Sequence, residues 1–424
     1  MVGTNLFFHR GPVHDPAYFF GRKQELMHLF DLLNRGQCVS IYGQRRLGKT
    51  SLLFYAANPE VAARYGLDSS QTRWVYLDGG MFDGLEEEYV YGAIDRGMQE
   101  SEPETTAYEK LLGHVRTLAA QKLRLIVILD EFEIFAQNSR FQLRFFNRLR
   151  GMAAQYPVQF VIASKEPLAR LTFANSSVMS SAFFNIFAPF RLSLLREQEA
   201  VEMLASLSAR SGAQFQPDTI NFLLGLVGPH PHFLQVAGYI ALELQNKGVL
   251  SADDRIAVKE RTLEELEGHL AYYWHDLSTD EQYTLAALPL TAFEGYSLMI
   301  DRLHDSGLLF ENRYLGSVLE MFVARQEVPG LLRHGLFVMD ERRRLLSVEG
   351  KLSHLTPTEF NAMRLLMQNP GRLLTPEDIE ASLWPDEIAP DPERARGIMK
   401  KLRIALGEAG EAVVTQRGQG YSLA

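Results

Sequence analysis

The chain is almost without cysteine, has no run of eighteen uncharged apolar residues, and is short of positive charge. A single cysteine, Cys38, rules out a disulfide framework or a cysteine metal site within one chain. Set in the apolar stretch QCVSIYG, it reads as a small core residue. The lack of a long apolar run argues against a membrane-spanning helix. The start, MVGTNLFFHRGPVHDP, is broken by His, Arg and Pro before a signal-peptide core can form, so the expected location is cytoplasmic, with no membrane partner. Lys and Arg number 43 against 52 Asp and Glu, a net charge of -9. That balance argues against a general polyanion binder and leaves room for one local basic patch. What the chain does have is core material: 46% apolar and 11% aromatic residues over 424 positions, enough for two to four folded domains.

The sharpest local signal is GQRRLGKT, Gly43 to Thr50, which fits G-x-x-x-x-G-K-[ST]. A β-like run (38–42) precedes it and a helical run (51–57) follows. Glycines at Gly43 and Gly48 let backbone wrap a phosphate, so that N–H groups and the helix N-terminus face the anion. Lys49 then reaches the β- and γ-phosphates, Thr50 offers a hydroxyl to Mg²⁺, and Ser51 lies beside it. The expected partner is a buried strand ending in acid, and LRLIVILDEFE (123–133) supplies one. Asp130 is expected to hold Mg²⁺ and Glu131 to polarise an attacking water. The alternative is that the two acids only cap the next helix. Residues 72–80, 158–166 and 185–192 read as further strands, with Ser164 and Lys165 at an end where a γ-phosphate could be sensed. Helical stretches between them predict a doubly wound α/β core. Arg45 and Arg46 read as solvated loop charges.

The segments YFFGRKQELMHLFDLL (18–33), YGQRRLGKTSLL, VILDEFE, VIASKEPL and GPHPHFLQVAGYI (228–240) together resemble the signal-transducing ATPases with numerous domains, the STAND branch of AAA-like P-loop ATPases. The resemblance covers about the first 330 residues. It implies ATP or ADP with Mg²⁺, and it places Gly21 and Arg22 against the nucleotide, Gly228 and Pro231 near the adenine, and a basic sensor at Lys165, where many members have Arg. From the residues alone, Arg22 reads equally well as a helix-start charge and Pro231 as a helix-start proline. Residues 193–270 are helical in pattern and predict a lid. Residues 275–326 read as helix, helix and short hairpin, the rhythm of a winged helix, without the family's Met-His-Asp motif.

From about Leu336 two strand-like runs lead to Thr356-Pro357-x-Glu359 and then Thr375-Pro376-x-Asp378, two capped helix starts. A loop around Pro390, a third helix (393–406) and a hairpin (413–423) complete a winged helix-turn-helix. These last 85 or so residues resemble the OmpR/PhoB-type DNA-binding domain of response regulators. The matching pieces are LTPTEF, LLMQNPG, the Trp384 segment, KKLR and RGQGY. Arg394, Arg396, Lys400, Lys401 and Arg403 fall on the third helix with no acid from Arg394 to Leu406, the local field that a major-groove helix needs. On a helical wheel Arg396, Lys400 and Arg403 share a face. Family correspondence adds Lys401 and the wing residue Arg417, while the family's usual acidic residue is replaced by Arg396. A protein-binding winged helix with a solvated basic face is the alternative.

The expected organisation is an ATPase α/β domain (1–192), a helical lid (193–270), a winged helix (271–335) and a DNA-binding winged helix-turn-helix (336–424). The expected function is an ATP/ADP-switched regulator of transcription that binds double-stranded DNA, self-associates with ATP, answers an unidentified signal and hydrolyses ATP slowly. The rivals are an AAA-type initiator or transposition ATPase assembling on DNA, and a defence or scaffold ATPase whose winged helices bind protein.

Overall fold

The computed structural model describes residues 4–7, 10–99, 104–173, 182–290, 297–385 and 391–424, so the loop expected around Pro390 lies outside the described residues. The chain divides into two compact units, residues 1–266 with 305–307, and residues 267–304 with 308–424.

The first unit is built on β1 (Cys38–Tyr42), β2 (Thr72–Asp78), β3 (Arg124–Asp130), β4 (Val158–Ser164) and β5 (Phe187–Arg191), all parallel, in the order β2-β3-β4-β1-β5. Period-two alternation fills two cores. Leu125, Val127 and Leu129 face one layer, and Ile126 and Ile128 face the other. The first layer is rich in fully buried phenylalanine, with Phe132, Phe135, Phe145, Phe146, Phe160 and Phe183, each stabilising the fold by about 1.5–3 kcal/mol. This is the doubly wound P-loop core that the strand pattern predicts. Cys38 is buried within it; its sulfur accepts the Phe160 N–H at 3.3 Å, and burial pushes the thiol up to about 11. An inert core thiol is what its sequence context predicts.

Helices Glu197–Arg210, Pro217–Val227 and Pro231–Leu244 follow β5, and Ala252–Asp276 comes next. Among the described residues no helix is long and apolar enough to cross a membrane.

The second unit contains helices Thr279–Ala286 and Ser297–Asp305, a hairpin of β6 (Leu309–Phe310) and β7 (Arg313–Tyr314), and helix Ser317–Ala324. That last helix is absent from the helix-helix-hairpin expectation, since eight residues carry little periodicity. It forms because Val318, Leu319, Phe322 and Val323 are all buried on one side. A second correction concerns the two strand-like runs expected after Leu336. Three antiparallel strands follow it, and a fourth before it joins the same sheet: β8 (Leu331–His334), β9 (Phe337–Asp340), β10 (Leu345–Val348) and β11 (Lys351–Ser353). The expected break at 335/336 falls in the β8–β9 turn. The polar look of LLRH hides β8, because the Arg333 guanidinium turns inward to the Val323 and Ala286 carbonyls, 2.6 Å from each.

Helices Pro357–Gln368, Pro376–Leu383 and Pro392–Leu406 and the hairpin of β12 (Val413–Gln416) and β13 (Gly420–Leu423) complete the chain as a winged helix. Both expected capping boxes are formed, Thr356 with Glu359 and Thr375 with Asp378, each preceding a proline at the first helical position. Gly420 has to be glycine, because a Cβ there would stand 2.2 Å from the Leu374 oxygen, where Tyr421 bridges back to Leu374.

Candidate functional site

The loop after β1 passes through Gly43 and Gly48 into helix Lys49–Ala57. The two glycines are needed for different reasons. At Gly43 a Cβ would stand 2.3 Å from the Leu192 oxygen, so the missing side chain allows close passage by the exit of β5. Gly48 is left-handed at φ 91°, with nothing within 4 Å of where a Cβ would point. It keeps the phosphate side of the loop open.

Lys49 Nζ donates to the Gly43 and Gln44 carbonyls at 2.6 and 3.0 Å. Thr50 Oγ1 donates to Asp130 Oδ2 at 2.7 Å, joining residues eighty positions apart. The same carboxylate oxygen accepts the Tyr76 hydroxyl at 2.9 Å, and Asp130 Oδ1 accepts the Glu131 N–H at 2.9 Å. Tyr76 carries no motif and is invisible to pattern reading. It arrives because β2 pairs in register with β3, and burial followed by Asp130 raises its phenol well above the usual range, so that it remains a donor. Two adjacent hard oxygens, from Thr50 and the buried Asp130, are the donor set that Mg²⁺ prefers.

Burial pushes the Lys49 ammonium down to about 8, opposed by Glu133, Asp130 and Glu131. Glu131 is shifted up, first by desolvation and then by Asp78, Asp130 and Glu133. It sits at the N-cap of helix Phe132–Gln137 in the left-handed region, φ 49°, and its side chain makes no capping bond. The capping alternative therefore lacks its hydrogen bond at Glu131.

A cavity of about 390 Å³ opens here, within the range of small-molecule sites. Gly48, Lys49, Thr50, Ser51, Asp130, Glu131 and Pro231 line it, as do Ser164, Arg45 and Arg46. Both arginines are exposed. Gly43, Lys165 and Gly21 are not on its wall. Ser164, whose hydroxyl donates to the Glu166 carbonyl at 2.7 Å, takes the wall position next to Lys165. A Cβ at Gly21 would stand 2.8 Å from the Glu199 side chain, so that glycine serves packing against helix Glu197–Arg210. Arg22 borders the cavity but is 3% exposed, its guanidinium donating to the Leu47 carbonyl at 3.0 Å and to Leu194 O and Glu25 at 3.2 Å. It braces the loop rather than offering a free cation. Gly228 turns the end of helix Pro217–Val227 at φ 63° and lies off the wall.

The N-terminal part of the wall is not readable from the sequence. Gly11–Val13 and Tyr18–Phe20 also line the cavity, this segment lying against helix Lys49–Ala57, with Val13 N–H donating to Ser51 Oγ at 2.9 Å, His14 packing on Phe54 and Phe19 stacking on Tyr55. Gln235, Met203 and His232 face the same space. The aromatic cluster YFF ahead of Gly21 is the one available signal.

In the second unit, helix Pro392–Leu406 buries Ala395, Ile398, Met399, Leu402 and Leu406 and exposes Arg394, Arg396, Lys400 and Lys401. Arg394 lies over the Trp384 ring at 4.9 Å, and Arg396 is ion-paired with Glu393. Arg403 departs from the wheel expectation. Its Nε donates to the Val413 carbonyl at 2.8 Å, its fork also reaches Thr415 Oγ1, and it lies 5.7 Å from the Tyr421 ring. Arg417 is exposed at the wing turn.

Residues 100–292 match the family model described as Novel STAND NTPase 2, a span beginning past the P-loop. Residues 350–423 match the family described as Transcriptional regulatory protein, C terminal. The chain joins a STAND-type NTPase domain to an OmpR/PhoB-type winged helix. Over 94 residues it is 34% identical to the transcriptional regulatory protein QseB of Escherichia coli O157:H7, covering 22% of this chain and 41% of that protein. Over 98 residues it is 35% identical to the sensory transduction protein RegX3 of Mycobacterium bovis, covering 22% and 43%. The chain thus spans about two fifths of the curated relatives it matches. A Walker-type ATPase of Pyrococcus abyssi superposes with a TM-score of 0.55 at 15% identity, over 75% of this chain and 99% of that one, a likeness of fold.

Within the OmpR/PhoB-type domain Arg403 works as a tack between the third helix and the wing. Arg403→Ala should lower the stability of that domain by about 1–3 kcal/mol, since hydrogen bonds from a charged group are removed and the Val413 carbonyl is left without them. Urea melting checks this, and Arg403→Lys should restore only part of the loss because an ammonium cannot reproduce the fork.

Proposed function

We propose that this chain is a cytoplasmic ATP/ADP-switched regulator of transcription that binds duplex DNA through its OmpR/PhoB-type domain. The observation that carries the reading is the pairing, in one chain, of a P-loop whose Thr50 already meets Asp130 with a winged helix exposing Lys400 and Lys401. Gly48 and Lys49 hold the phosphates, with Ser51 at the same helix start, and the aromatic and proline-marked wall, Tyr18 to Phe20 with Pro231, takes the base. Mg²⁺, held by Thr50 and Asp130, would supply neutralisation of phosphate charge. Glu131 accepts a proton at its carboxylate from the attacking water, a task helped by its raised affinity for protons. Lys165, off the wall in this structure, senses the γ-phosphate after β4's exit loop turns it inward. Arg394, Arg396, Lys400, Lys401 and Arg417 meet the duplex, Arg396 after release from Glu393.

In this reading the ATPase domain (1–192) and helical lid (193–270) form the switch, and the winged helix expected over 271–335 passes its state to the output domain (336–424), whose sheet also takes in β8. ADP holds the resting form, a signal permits exchange for ATP, and the ATP form self-associates. Inverting a resting population from 1:99 to 99:1 takes about 5.5 kcal/mol of differential binding. Glu131→Gln should keep ATP binding and slow hydrolysis by roughly a hundredfold or more; unchanged turnover removes Glu131 as the base. Selection of duplexes from a random pool, run separately with ADP and with a non-hydrolysable ATP analogue, tests the whole. A shared motif bound with different affinity in the two states is expected. Equal affinity defeats the switch, and failure to enrich any duplex defeats the DNA reading.

A further inference from the structure

Residues 5–7 carry no motif, and the proposed mechanism leaves them unused. Each is nevertheless fastened to the helices that follow β5, the lid of the proposed switch. Asn5 Nδ2 donates to the Tyr239 carbonyl at 3.0 Å, and the Leu6 N–H donates to Ser211 Oγ at 3.1 Å. Phe7 is 2% exposed; its ring stacks on Phe215 at 5.9 Å and lies against Gly238, where a Cβ would stand 2.3 Å from it. Gly238 is inside helix Pro231–Leu244, where a glycine weakens the helix, and the Phe7 ring accounts for its being there. Further along the segment the partners change. Val13 and His14 hold to helix Lys49–Ala57, through Ser51 Oγ at 2.9 Å and the Phe54 ring at 4.4 Å. Then Arg210, at the end of helix Glu197–Arg210, donates to the Ala17 carbonyl at 2.7 Å and lies over the Tyr18 ring at 4.6 Å. The N-terminal segment thus touches the lid, the P-loop helix and the lid again, and Gly11–Val13 line the cavity on the way.

We propose that these three anchors are a latch that holds the lid closed over the bound nucleotide and sets the rate of its exchange, with Phe7 between Gly238 and Phe215 as the catch. The cavity takes Met203, Pro231 and Gln235 from the lid and Gly48 to Ser51 from the P-loop, so the nucleotide leaves when these two sides part. The segment is fastened to both sides, and parting them releases one set of anchors. On the P-loop side Phe19 stacked on Tyr55 adds to the hold of Val13 and His14. The first lid anchor rests on one buried ring and two hydrogen bonds, and it is the one that gives way. Withdrawing a buried phenylalanine ring costs enough to change an equilibrium constant by about tenfold or more. Retention of ADP then follows from how seldom Phe7 leaves its socket, rather than from the phosphate cradle alone. This inference rests on the nucleotide reading of the cavity.

The test is stopped-flow release of a fluorescent ADP analogue from the full chain, chased with unlabelled ADP. Phe7→Ala should speed release by about tenfold or more. Gly238→Ala should do the same from the lid side, because its methyl group displaces the ring while favouring the helix. Both changes empty one socket, so the double variant should release no faster than the faster single variant. Should Phe7→Ala not fold, Gly238→Ala must speed release by itself. Unchanged release from folded variants that bind ADP overturns the latch alone, as does a double variant whose effect is the product of the two single ones. A wild-type chain that binds no ADP overturns the nucleotide reading and this proposal with it.

Discussion

Lys49→Ala is expected to leave a folded chain whose affinity for ADP and ATP has fallen by about a hundredfold or more. The side chain closes the cradle by bonding the Gly43 and Gln44 carbonyls, and burial has already pushed its ammonium down to about 8 from 10.5. Removing a charge-assisted interaction with phosphate costs about 1.5–3 kcal/mol for each hydrogen bond. Calorimetry measures the change, and a melting curve unchanged within a few degrees shows that folding survives. A pH series gives an independent signature. Bound phosphate draws the Lys49 proton on more tightly, so the complex holds more protons than the free chain above about 8. Affinity is therefore complete below about 8 and falls as pH rises above it, by up to tenfold per unit. In Lys49→Ala that slope disappears. Tight binding by the variant, or a wild-type affinity that rises between pH 8 and 10, would remove Lys49 from the phosphate site.

The second large effect concerns the output domain. Lys400→Ala with Lys401→Ala should weaken duplex binding at low salt and lower the slope of log affinity against log salt by about 1.8, about 0.9 for each phosphate that the variant no longer neutralises. Both side chains are exposed on the helix whose other face is core, so the pair can be removed with little disturbance of Met399 and Leu402. Arg403, which shares the wheel face in the sequence, is the wrong residue for this test because its guanidinium is committed to Val413 and Thr415. Fluorescence anisotropy at several salt concentrations reads the slope. An unchanged slope assigns the helix to something other than a phosphate backbone, the protein-binding alternative among them.

Much of the phosphate cradle was legible because its requirements are local. A glycine that must stay open at φ 91°, a lysine after it and a hydroxyl next in line are consecutive letters, and β3 announces itself by unbroken apolar character before two acids. The caps of the last domain were equally legible, since Thr356 and Glu359 satisfy each other across three residues. Less local features escaped. Tyr76 reaches Asp130 only through strand pairing, and β8 was hidden because the Arg333 guanidinium is turned onto two carbonyls that lie elsewhere in the sequence. The N-terminal wall of the cavity is coil around a single 3₁₀ turn, Pro16–Tyr18, too short for a period to detect.

By itself the sequence determined the chemical inventory and the local geometry of this protein: where phosphate could be cradled, where acids end a buried strand, and where helices begin. Only the tertiary structure decided the strand order β2-β3-β4-β1-β5 and which side chains converge. It brought Glu133 to the cavity with Lys49, turned Arg22 and Arg403 into braces, and took Gly21 and Lys165 off the wall. The physical reason is that propensity, capping and turn chemistry act over a few residues. Burial and the satisfaction of buried polar groups are instead properties of neighbours that the chain brings together from far apart.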